Sequence, residues 1–93
     1  VSSRSVLART ARYFSFRTAD LCGKSRKAEL VTARHIAMYL LRKDLNLPLI
    51  KIGELLGGKD HSTVLYAINK MEREFSTNQN LRHQITSIRS SLR

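Results

Sequence analysis

The chain has 93 residues, enough for one domain. Lys and Arg number 17 against 7 Asp and Glu, a formal net charge of +10 with a pI near 10.7. An apolar content of 42% excludes a disordered basic tail, and one Pro with four Gly excludes collagen-like or proline-rich chains. A single Cys rules out a disulfide framework or a Cys-based zinc site within the chain, and no apolar run approaches the ~20 residues that span a bilayer.

Ten uncompensated positive charges repel one another and lower stability, a cost that a polyanionic partner relieves. Duplex DNA, RNA and an anionic membrane surface are therefore the partner classes to weigh, beside plain solubilising charge. The chain opens with Val1 rather than Met and is expected to be a piece of a longer protein.

Helical periodicity runs throughout. Leu7, Ala11 and Phe14 recur at four- and three-residue spacing with Arg9 and Arg12 opposite, which predicts an amphipathic helix over about 4–14 with Ser3 as N-cap. Two readings of its apolar face stay open: docking on the domain core, or insertion into a membrane surface. A short helix follows, capped by Thr18 and stopped by Gly23, and then an exposed basic loop over 23–29. Thr32 is expected to cap a helix running to about Leu45. Its buried stripe is Ala33, Ile36, Ala37, Leu40 and Leu41, and its outer face carries Arg34, Met38 and Arg42. Arg34 and Arg42 stand about 12 Å apart along that face, suited to gripping phosphates.

Pro48 ends this helix and opens the next, about 48–56, which Gly57-Gly58 stops. Asp60 caps a helix over about 61–75 whose Val64, Ile68, Met71 and Phe75 form an apolar seam. The opposite face collects Ser62, Tyr66, Asn69 and Arg73, with Lys59 and Lys70 beside it. A last helix starts at Thr77 or Asn78 and repeats Leu81, Ile85, Ile88 and Leu92. The fold class is all-α, a compact bundle of five to six helices. Residues 1–16 form a linker with its amphipathic helix, and 17–93 the domain proper.

Helix, glycine turn and second helix over 48–66 describe a helix-turn-helix of the Trp-repressor-like kind, with an ordinary αα-corner as the alternative. A sharp turn there needs positive φ or close backbone approach, which glycine supplies. In such motifs the N-terminal residues of the second helix reach base edges. An Asp accepts from cytosine N4, a His nitrogen donates to thymine or guanine, a Thr methyl meets the thymine methyl, and hydroxyls and free N–H groups hold phosphate. Asp60, His61, Ser62 and Thr63 are therefore candidate readers, with simple capping and a solvated first turn as the bland alternatives. An Arg of the loop Lys24-Ser-Arg26-Lys27 suits the narrow, strongly negative minor groove of A·T tracts. No enzyme is indicated: His35, His61 and His83 lack metal-ligand spacing and the carboxylates are scattered.

The run Gly53-Glu-Leu-Leu-Gly-Gly-Lys-Asp-His-Ser-Thr-Val64, preceded by Ala33-Arg-His-Ile-Ala-Met-Tyr-Leu40, resembles the C-terminal DNA-binding domain of the bacterial replication-initiator DnaA family. The resemblance covers essentially the whole chain. It implies an all-helical module that binds double-stranded DNA as a monomer at short, asymmetric, A·T-containing origin boxes in the bacterial cytoplasm. It also implies that Arg26 enters the minor groove and that Lys59, Asp60, His61, Ser62 and Thr63 lie in the major groove. Leu49 and Ile50 approach thymine methyls or backbone, and Lys24, Lys27, Arg34, Arg42 and Tyr66 take phosphate positions.

Three positions depart from the family's usual pattern: Ile50 replaces a frequent Pro, Tyr66 a frequent His, and Ser62 a frequent Thr. The methyl lost at Ser62 weakens one thymine contact by less than ~1 kcal/mol. ATP binding belongs to a separate module of the full-length family, and this chain has no phosphate-binding G-x-x-x-x-G-K-[ST] run, so no cofactor is expected in it. The first helix resembles the segment joining the two modules, where contact with acidic phospholipid is the second expected activity.

Overall fold

The computed structural model describes residues 1–92 and contains six helices among them. α1 (Ser3–Tyr13) starts at a reciprocal cap one residue before the expected one: Ser5 N–H donates to Ser2 Oγ at 3.2 Å and Ser2 N–H to Ser5 Oγ at 3.0 Å. It ends where Ser15 takes a left-handed conformation, φ 63°. α2 (Thr18–Leu21) is one turn, and the Asp20 carboxylate closes it by accepting from Arg17 N–H at 2.8 Å. Thr18, expected as the cap, is the first helical residue instead.

α3 (Ala28–Lys43) begins four residues before Thr32 and ends before Leu45. Ala28, Glu29 and Leu30 favour helix, and Glu29 complements the positive end of the helix dipole. After it, Asn46 turns the chain with φ 53°. α4 (Leu49–Leu55) follows Pro48, α5 (His61–Thr77) follows Asp60, and α6 (Gln79–Ser91) is capped by the Asn78 side chain accepting from Leu81 N–H at 3.0 Å.

α3 is the central strut, packing on α1, α2, α4 and α5, while α6 closes the bundle against α5 and α1. It is therefore buried nearly all round. Leu30, Arg34, Met38 and Tyr39 continue the buried surface beyond the expected stripe of Ala33, Ile36, Ala37, Leu40 and Leu41. The outer-face placement expected for Arg34 and Met38 is corrected: Arg34 is 7% exposed and Met38 1%. Arg42 does face outward. Val6, Leu7 and Ala11 of α1 lie in the same core cluster, so the segment expected as a linker contributes to the domain's core, and its apolar face is turned inward. No described helix is long and apolar enough to cross a membrane.

Candidate nucleic-acid interface

The site is built on the junction between α4 and α5. Gly53 lets them cross closely: a Cβ there would overlap the Lys59 carbonyl oxygen. Its own carbonyl accepts from Gly58 N–H and Lys59 N–H, both at 2.9 Å, which folds the turn back on α4. Gly57 and Gly58 both sit at φ 87°, the conformation anticipated for a sharp turn. At Gly57 the approach is also close, since a Cβ would run into the Cys22 carbonyl oxygen. Ile52, Leu56 and Val64 are fully buried beneath the turn and hold it against α3.

That contact brings the basic loop to the turn. Cys22 Sγ donates to the Leu55 carbonyl at 3.3 Å, and Lys59 Nζ donates to the Gly23 carbonyl at 3.0 Å. From below, Arg34 reaches the same segment: Nε donates to Leu21 O at 2.9 Å, Nη2 to Asp20 O at 3.1 Å, and Nη1 to Ser25 O. Lys24, Ser25, Arg26 and Lys27 remain exposed. Arg34 and Lys59, expected among the DNA-facing cations, thus have their side-chain donors directed at backbone carbonyls inside the protein.

At the start of α5 the expected side-chain cap does not form. Asp60 occupies the N-cap position with extended backbone, but its carboxylate takes no helix N–H and lies 3.4 Å from His61 Nδ1. Both side chains are about two-thirds exposed, and Ser62 and Thr63 are exposed as well. Along the same helix Ser62, Tyr66, Asn69 and Arg73 all face solvent, the polar face anticipated from their spacing. Arg42, Pro48, Leu49, Ile50 and His61 line one surface concavity, which joins the end of α3 to the starts of α4 and α5. Ile50 is 68% exposed there, and its side chain stands free at the edge of the concavity. Arg42 Nη1 donates to Leu47 O at 2.9 Å, fixing the guanidinium at this rim.

Two residues beside this surface escaped the motif reading. Lys51 is exposed in the first turn of α4, next to Ile50, a placement its sequence neighbourhood already implied. His35 packs edge-on against the Tyr66 ring, centroids 6.3 Å apart. Burial holds its imidazole below the ordinary value of 6.5. Lys70 and Arg34 push the same way, and Glu74 opposes them. Among the described residues no carboxylate lies within ion-pair distance of Lys24, Arg26, Lys27, Arg34, Arg42, Lys51 or Lys59. The same set contains no cluster of three or more metal-ligating side chains.

A short helix, a positive-φ turn and a longer helix whose polar first turn stands free define a helix-turn-helix module. The family described as the bacterial dnaA protein helix-turn-helix matches residues 4–71. The chain is 40% identical over 92 residues, 99% of its length, to the chromosomal replication initiator protein DnaA of Roseiflexus castenholzii. It is 41% identical over 87 residues to that of Thermomicrobium roseum, and 40% identical over 93 residues to that of Leifsonia xyli subsp. xyli. The chain therefore belongs to the bacterial DnaA helix-turn-helix family. It spans about a fifth of the length of these relatives (19%, 19% and 20%).

Proposed function

We propose that this chain binds duplex DNA sequence-specifically, as a monomer at short A·T-containing boxes of a bacterial replication origin, and so serves replication initiation within a larger, ATP-binding initiator in the cytoplasm. The observation that carries the reading is the junction at Gly57. The exposed first turn of α5 and the loop bearing Arg26 leave the protein from adjoining points, bonded to each other through Lys59 and Gly23. One duplex can then meet both elements. Asp60, His61, Ser62 and Thr63 enter the major groove, Leu49 and Ile50 lie against thymine methyls, and Arg26 enters the neighbouring minor groove. Lys24, Lys27, Arg42 and Tyr66 take phosphates, joined by Lys51. Their charges meet the duplex without an internal carboxylate to cancel them. The alternative docking of α1 on acidic phospholipid finds its apolar face already in the core.

Selection of bound duplexes from a random pool tests the reading, followed by titration of variants on the winner and on random DNA. Arg26→Ala and His61→Ala each lose about 1–3 kcal/mol of discrimination, while Lys24→Ala weakens all sequences alike and lowers the salt slope by about one. Equal losses on both DNAs for all three variants overturn the assignment. A stoichiometry of one protein per asymmetric box separates it from a Trp-repressor-like dimer reading two half-sites.

A further inference from the structure

We infer that Arg34 and Lys59 are positioning residues: one buried and one half-buried cation that hold the loop bearing Arg26 at a fixed setting relative to the first turn of α5, before any DNA is present. The inference deepens the reading above and rests on Arg26 acting in a groove.

The loop's composition works against order. Lys24, Arg26 and Lys27 fall within four residues, and like charges so close drive a chain apart. Between the end of α2 and the start of α3 it has no helix or sheet ladder, and the last carbonyls of the one-turn α2 lead straight into it. Cations from elsewhere in the fold bond carbonyls at the end of α2 and within the loop. Asp20 O, Leu21 O and Ser25 O accept from the three nitrogens of Arg34, on the second turn of α3. Gly23 O accepts from Lys59 Nζ, on the other side.

The planar guanidinium suits the first task, because several donors in one rigid fork meet carbonyls at both ends of the bend, which an ammonium cannot do. The second task fixes register. Lys59 immediately precedes Asp60, so the carbonyl of Gly23 is tied one residue from the N-cap of α5. The Cys22 carbonyl against Gly57 bars the loop from settling closer.

Adding two cations beneath a cationic loop raises repulsion, so contacts to carbonyl oxygens are what make their position tenable. A phosphate role for Arg34 requires breaking three bonds to expose a side chain that is 7% exposed. The bonded arrangement has a direct consequence for binding: a loop already in place loses less freedom on meeting a duplex, which raises affinity without any added contact.

The test is a thermodynamic cycle between Arg26→Ala and Lys59→Met, which keeps the aliphatic stem, on the selected duplex at fixed salt. Lys59→Met is expected to weaken binding about 5-fold in the wild-type background and less than about 2-fold when Arg26 is already Ala, because the two act as one unit. Its losses in discrimination fall on base pairs facing the minor-groove arginine and spare those facing α5. A merely destabilised protein would lose both. The salt slope stays at the wild-type value, whereas a lost phosphate contact lowers it by about one.

Arg34→Lys keeps the charge but not the fork, and is expected to reproduce the Lys59→Met behaviour. Amide exchange of residues 23–27 in the free protein, faster by about 10-fold or more in Lys59→Met, reads the brace without DNA. Additive losses in the cycle, or unchanged exchange in the loop, overturn the inference. Exchange that speeds up while Arg26→Ala proves silent on DNA leaves the brace in place and instead overturns the minor-groove assignment on which its function rests.

Discussion

The two ends of α3 handle positive charge in different ways. At the N-terminal end, Arg34 is bonded to carbonyl oxygens of the α2–α3 segment, and Lys59 reaches the same segment from the turn. At the C-terminal end Arg42 keeps to that pattern, donating to the Leu47 carbonyl, but Lys43 and Arg89 meet carboxylates: Lys43 and Glu72 pair at 2.8 Å, and Arg89 grips Asp44 with bonds of 3.0 and 2.9 Å. These partners hold Lys43 and Arg89 above their ordinary values, chiefly through the side-chain bonds themselves. Tyr39 stacks on Phe75 at 6.3 Å, and the Arg89 guanidinium lies 5.7 Å from the Tyr39 ring centroid.

The physical difference is in what is left over. A carboxylate cancels the charge it binds, whereas a carbonyl orients a cation and leaves its full charge to act outward. With 7 acids for 17 Lys and Arg, the fold places two of the acids against Lys43 and Arg89, cations that take no part in the proposed interface. The cations proposed to face a polyanion, Arg42 among them, stay uncancelled.

The largest effect expected from breaking one side of this contrast is at Gly57. Gly57→Ala puts a Cβ at φ 87° and against the Cys22 carbonyl, straining the turn and the loop together. A loss of about 2–4 kcal/mol in urea unfolding is expected, from left-handed strain plus the clash. Gly58→Ala shares the φ but has open space around it, so about 1 kcal/mol is expected there. Equal losses at the two glycines would mean that the Cys22 contact does not define the loop's position.

A smaller effect sharpens the other side. Asp44→Asn leaves Arg89 without its anion at a pair that is about one-third exposed, and about 1 kcal/mol of stability is expected to go. The loss shrinks in high salt, because the pair is partly screened already. Affinity for the selected duplex should stay within about 2-fold of wild type, since Asp44 is paired with Arg89 and not with Arg42, which belongs to the proposed interface. A fall in DNA affinity matching the fall in stability would show that the two ends are coupled and that the contrast is one of appearance only.

How each region could be read from the amino-acid sequence follows the same division. The apolar seam of α5, the glycine turn and the free polar face are local patterns, and spacing alone placed them. The start of α3 was hidden because the basic run before it carries no capping side chain: Lys27 is the N-cap and its side chain makes no cap bond. Arg34 was misplaced for a related reason. Apolar spacing alone picks out Ala33, Ile36, Ala37, Leu40 and Leu41, yet Leu30, Arg34 and Met38 lead into Leu41 at four, four and three and are all buried too. That spacing was a usable signal. What local periodicity does not contain is the set of carbonyls that makes burial of the cation tolerable, because they belong to a segment nine to fourteen residues earlier. The absent cap at Asp60 is likewise a matter of which way a carboxylate turns, not of residue type.

The smallest effect expected concerns His35, beside the buried guanidinium and under the Tyr66 ring. Burial is the main reason its imidazole resists protonation in the folded chain, with Lys70 and then Arg34 adding repulsion and Glu74 partly offsetting them. In the unfolded chain the same group takes its proton near 6.5. Between the two, the unfolded state binds more protons, so stability rises with pH. The contribution is complete above about pH 6.5 and drains away as the pH falls below it. His35→Gln keeps a polar side chain of similar reach without the titration, and its stability should fall less steeply on the acid side than that of the wild type. Urea midpoints measured from pH 7.5 down to pH 5 give the comparison directly. Parallel curves would place His35 in contact with water in both states, and would remove the edge-on contact between His35 and Tyr66 from the account of how the outer face of α5 is held.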